Sequence, residues 1–105
     1  MSAETVVQRL ADMVAWQKGA VISRALIKKM AGTVTLFAFD EGEGLSEHTA
    51  PFEALVLVLE GKADIAVDGV PHRVGMGESI VLPAGRPHAV RAVGPFKMML
   101  VMIKE

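Results

Sequence analysis

A chain of 105 residues has room for one hydrophobic core, so a single domain over residues 1–105 is expected. Lys and Arg number 11 against 12 Asp and Glu, and aromatic residues make up 5%. That balance supplies neither the basic face nor the stacking platforms that nucleic acids need, so nucleic acid is not an expected partner.

Cysteine is absent, which removes disulfides, thiolate nucleophiles and thiolate metal ligands and fits a reducing cytoplasm. Any metal must be held by His, Asp or Glu. Mean hydropathy is +0.40, yet the longest uncharged apolar stretch, Ala54 to Leu59, is far shorter than the roughly 20 residues of a membrane span. No basic region followed by an apolar core opens the chain, so neither a secretory signal nor a membrane partner is expected, and the location read from these features is cytoplasmic.

In chain order, Val6, Val7, Leu10, Met13 and Val14 recur at helical spacing within 4–16, which predicts a short N-terminal helix ended by Gly19. Residues 1–19 form this leading segment and 20–104 a β-barrel. "AVISRALIKKM" (20–30) is rich in β-branched residues, Ala31-Gly32 reads as a tight turn, and "TVTLFAF" (33–39) as a strand. The acidic, glycine-rich "DEGEG" (40–44) is a loop.

Short strand-like runs follow: 54–61, 62–67, 70–74, 80–83, 89–93 and 96–104. Asp68-Gly69 carries a strong hairpin signal, because both central turn residues tolerate positive φ. Strands at this spacing predict an all-β sandwich or barrel. Residues 54–59 and 98–103 are apolar on both faces, and a small barrel buries one face only. A homodimer is the expected partner arrangement, the alternative being that the N-terminal strands cover these faces.

Two segments stand apart. The first runs from His48 through Glu53 to "VLEG" (58–61). The second is "GESIVLPAGRPH" (77–88), with Gly77, Pro83, Gly85 and His88 at fixed offsets. Together they resemble the two motifs of a small single-domain cupin of the RmlC-like, cupin 2 conserved-barrel type. The resemblance covers residues 44–92 and implies an all-β double-stranded β-helix, a jelly-roll barrel.

For the family it implies a site of imidazoles and a carboxylate holding Fe, Mn, Ni, Cu or Zn. Here the glutamate position falls on Ala54, the second histidine position on Ala50, and the usual asparagine after the second-motif histidine on Ala92. His48 and His88 remain as metal candidates. Glu53 is a weak third, since one residue of offset turns a strand side chain to the other face.

Alternating positions then predict a small apolar pocket beside the two imidazoles. Its lining includes Ala50, Ala54, Val56, Leu82 and Val90, with Phe52 at the bend and Val58 and Ala92 farther along. His72 matches no ligand position and reads as a surface residue, Arg86 as a solvated residue at the barrel mouth, and Met98, Met99 and Met102 as packing residues. The function expected is binding of a small organic molecule, with a divalent transition metal on the two histidines or with no metal. The alternatives are a metal-dependent dioxygenase or isomerase, or a metal-free isomerase using one histidine as acid–base catalyst; fold alone leaves enzyme and binder open.

Overall fold

The computed structural model describes residues 5–104. Nine strands follow one another: β1 (Val21–Lys29), β2 (Gly32–Phe39), β3 (Gly44–His48), β4 (Glu53–Glu60), β5 (Lys62–Val67), β6 (Val70–Gly75), β7 (Ser79–Leu82), β8 (His88–Ala92) and β9 (Phe96–Ile103). They form a five-stranded sheet ordered β1-β2-β9-β4-β7 and a four-stranded sheet ordered β3-β8-β5-β6. Every pairing is antiparallel. This is the jelly-roll expected from the sequence. No described helix is long and apolar enough to cross a membrane.

Period-two alternation sends Val56, Val58, Ile65, Ala92 and Met98 into the space between the sheets, where all are buried. One end of that space is plugged by aromatic packing. Phe39 and Phe96 are register partners on β2 and β9, and their rings stack at 4.6 Å and 6°. The plug leaves the opposite end of the barrel for a cavity.

Two turns show why the glycine signals are where they are. Asp68 and Gly69 have φ of 53° and 76° and join the register partners Val67 and Val70, which is the two-residue hairpin predicted. Gly61 has φ of 74°, and a Cβ there would run into the Pro95 carbonyl oxygen and lie 2.9 Å from Phe96 Cβ.

The short N-terminal helix is present, reduced to one turn. Among the described residues only Leu10–Met13 is helical, as a single 3-10 turn, and Val6 and Val7 are exposed. The helical spacing of apolar residues serves another geometry: an extended strap whose Leu10, Met13 and Val14 cover Leu36, Ala38 and Met99 on the outside of the five-stranded sheet. Lys97 pins the strap. Its Nζ donates to the Ala11 carbonyl, lies 3.5 Å from Glu60 Oε1 and sits 4.6 Å above the Trp16 ring, while Trp16 Nε1–H donates to the Phe96 carbonyl at 3.1 Å. The second difference is β3, a strand absent from the strand-like runs of the sequence, which begins at the end of the acidic loop 40–44. The first tight turn also shifts by one residue, to Met30-Ala31.

Candidate functional site

The motif turns bring the two histidines together. On the β7–β8 side, Gly85 N–H donates to the Ala50 carbonyl at 2.8 Å, which ties the turn before His88 to the loop after His48. Asp68 N–H donates to the Pro87 carbonyl at 2.9 Å and fixes the same turn from the β5–β6 hairpin. β3 then pairs with β8 so that His48 and His88 are register partners across the strands.

The two rings meet edge to face, with centroids 4.3 Å apart and planes at 72°. Their Nε2 atoms are 3.1 Å apart. Each Nδ1 is held by a backbone carbonyl two residues back: His48 by Ser46 at 2.8 Å and His88 by Arg86 at 3.2 Å. A carbonyl can only accept, so both Nδ1 atoms carry hydrogen and both Nε2 lone pairs point at one another. At hydrogen-bond distance that arrangement is satisfied by one proton between the rings, or by a cation or donor group placed beside both.

His88 is buried and His48 is exposed at the mouth. Burial is the main cause that lowers the His88 pKa from its ordinary 6.5, and the neighbouring His48 adds to it; the Arg86 carbonyl pulls the other way. The pair therefore resists holding two protons. The unfolded chain takes up at His88 a proton that the folded chain refuses, so stability falls as pH drops below about 6.5. Thermal unfolding between pH 7 and pH 5 should show Tm falling, with a shallower fall in His88→Gln. An equal slope in the variant would contradict this assignment.

Beneath the pair lies a cavity of about 50 Å³, room for a few atoms enclosed and more at the open mouth. Its walls include six of the pocket positions predicted: Ala50, Phe52, Ala54, Val56, Leu82 and Val90. Leu45, Met98, Leu100 and Met102 also line it, beyond the positions that alternation predicts. Val58 and Ala92 do not line it, because they lie deeper, in the packed core. The two histidines are the polar elements of an otherwise apolar wall, and at the rim Lys104 Nζ stands 5.7 Å from the Phe52 ring centroid.

The other candidates fall elsewhere. Glu53 is exposed on the opposite face of β4 from Ala54, and its Oε1 accepts from Ala84 N–H at 3.3 Å, so it does not join the histidines. His72 is exposed on the edge strand β6. Arg86 is exposed, with Nε 3.2 Å from Asp68 Oδ2.

The donor set can be weighed against a metal. Two Nε2 atoms at 3.1 Å match neighbouring ligands on one ion with bonds of about 2.1 Å. Each ring is oriented by its carbonyl as metal-binding histidines are. Beyond these two, alanines occupy the remaining ligand positions, and among the described residues no three His, Cys, Asp or Glu side chains group together. The residues present do not by themselves complete a resident metal site.

Known proteins give the fold its context. The conserved SPY1581 protein of unknown function from Streptococcus pyogenes superposes with a TM-score of 0.91 at 35% identity, over 100% of this chain and 91% of that one. Among curated proteins, the chain is 36% identical over 56 residues to dimethylsulfoniopropionate lyase DddQ of Ruegeria pomeroyi, which is 52% of this chain and 28% of that protein. It is 34% identical over 61 residues to protein SchB of Streptomyces halstedii, 57% of this chain and 44% of that protein. The chain thus spans less than half the length of both curated relatives. The model of the cupin domain matches residues 35–104, well over half of the chain and all of strands β3 to β9, and by that match the chain belongs to the cupin family.

Proposed function

We propose that this cupin domain binds a small, largely apolar organic anion, its acidic group against the His48–His88 pair and its carbon skeleton in the cavity below. The observation that carries this reading is the convergence of two Nε2 atoms at 3.1 Å over an apolar cavity of about 50 Å³. When an acidic ligand brings its proton to the pair, one proton between the rings places a single positive charge at the head of a dry pocket, opposite the ligand's anionic group. A carboxylate, enolate or phenolate answers that charge; an ammonium is repelled by it. The methionines beside the cavity let it adapt to ligands of different shape, since Met side chains repack at low cost.

Isobutyrate and benzoate serve as probes in titration calorimetry, with benzylamine as the counter-probe. Ligands of this size reach a Kd on the order of 1 mM. Isobutyrate or benzoate should bind the protein, benzylamine about tenfold more weakly, and His48→Ala and His88→Ala should each lose most of the affinity. Equal binding of benzylamine, or full binding by both variants, would sink the reading.

A second reading has a divalent metal on His48 and His88, its remaining positions filled by the ligand's own oxygen atoms; the spacing of the two Nε2 atoms favours it. Mass-spectrometric metal content of protein purified without chelator or affinity-tag metal separates the two. About one equivalent that disappears in the double variant His48→Ala/His88→Ala would replace the shared proton with an ion.

A further inference from the structure

One side of the cavity mouth carries positive charge. On β9 the cavity is lined by Met98, Leu100 and Met102, every second position, so the next place in that row falls to Lys104, just past the end of the strand. The side chain is half-buried, and its ammonium stands 5.7 Å from the centroid of the Phe52 ring, itself a cavity wall. Lys104 backbone N–H donates to the Ala31 carbonyl at 2.7 Å, which ties the β1–β2 turn to the same rim.

That turn brings a second cation. Lys28 pairs in register with Thr33, and Thr33 with Met102, so Lys28 belongs to the cavity side of the sheet as well. Lys28, Lys29, Met30 and Lys104 share one open concavity. Among the described residues no carboxylate lies within 4 Å of Lys28 or Lys104. Glu53 projects from the other face of β4, where it accepts from Ala84 N–H.

We infer that the ligand of this pocket is a short aliphatic dicarboxylate, one carboxylate on the His48–His88 pair and the other on Lys104. The inference rests on the anion-binding reading above and narrows it. The histidines belong to the four-stranded sheet and Lys104 to the five-stranded one. Facing sheets stand about 10 Å apart, so the two cationic points sit across the mouth from one another. The methylenes between the carboxylates then lie against Phe52 and Met102, over the cavity. Lys104 suits the outer carboxylate because its stem rests on an apolar wall while its ammonium stays partly in water. An ion pair there forms without the full cost of burying two charges. Lys28 adds to the same field from the neighbouring edge.

Calorimetry at low ionic strength with glutarate, valerate and 5-aminovalerate tests it, since the three share one chain and differ only at the far end. Glutarate should bind at least about tenfold more tightly than valerate, as one added charge-assisted contact implies, and 5-aminovalerate more weakly than valerate. Lys104→Met should bring the ratio of glutarate to valerate affinity close to one, and Lys104→Arg should keep it high. Rising salt should shrink the preference, because the outer pair is partly exposed. Glutarate that binds no tighter than valerate, or a preference that survives Lys104→Met, would overturn the inference while leaving the anion pocket standing, provided valerate still loses affinity in His48→Ala. Valerate binding indifferent to His48→Ala would sink that pocket reading and this inference with it.

Discussion

Ala54→Leu is expected to weaken isobutyrate binding at least tenfold while the protein stays folded. Ala54 points inward from β4, is only 9% exposed, and stands between its register neighbours Leu82 and Met102, both cavity residues. Three added carbons occupy space of the same order as the cavity of about 50 Å³ itself. Because that space is not filled by other side chains, the overpacking that costs about 1–3 kcal/mol in a dense core should be at the low end here. Calorimetry reads the lost affinity and thermal unfolding reads the retained fold. Unchanged affinity would mean that the ligand does not enter between the sheets. The same substitution explains why the alanine matters: a carboxylate-bearing side chain at this position would reach the histidines, whereas alanine leaves room for a ligand to do so.

The second large effect is on stability. Gly61→Ala is expected to destabilise the fold by about 3 kcal/mol, combining a strained backbone and a steric clash. The φ of 74° is one that residues with a Cβ adopt at a cost of about 1–2 kcal/mol. The added Cβ also meets the Pro95 carbonyl and lies 2.9 Å from Phe96 Cβ. Relief would require moving Phe96, which is fully buried and stacked on Phe39, so the damage reaches the aromatic plug. Chemical denaturation should show the midpoint falling with little change in slope. A loss under about 1 kcal/mol would show that the turn relaxes freely.

What was legible in the sequence follows from what each segment had to do. The hairpin at Asp68-Gly69 and the end of "VLEG" at Gly61 are readable because positive φ restricts residue choice. The pairing of His48 with His88 was also readable, since two motif positions on facing strands converge. β3 was hidden because "GLSEH" is short and mostly polar; its partner β8 makes it a strand, and no local alternation announces it. The N-terminal helix is shorter than the apolar spacing suggests, because apolar residues at helical spacing suit a strap over a sheet equally well.

Met98, Leu100 and Met102 illustrate a different limit. β9 is apolar on both faces, so parity alone could not say which set faces the cavity. The register with β2 and β4 decides it. That same two-sided character was the sequence's argument for a dimer. The Nε2 contact itself had no sequence signal at all, because it depends on carbonyls of Ser46 and Arg86 orienting the rings.

The central claim is that His48 and His88 act as one proton-sharing unit at the head of an apolar pocket. A crystal structure of the protein with benzoate bound tests it most directly. The account predicts a carboxylate oxygen within about 3 Å of an Nε2 of the pair, with the ring packed against the inner face of the sheet over Ala54 and Leu82. A ligand bound with its carboxylate turned to solvent, or outside the barrel altogether, would contradict it.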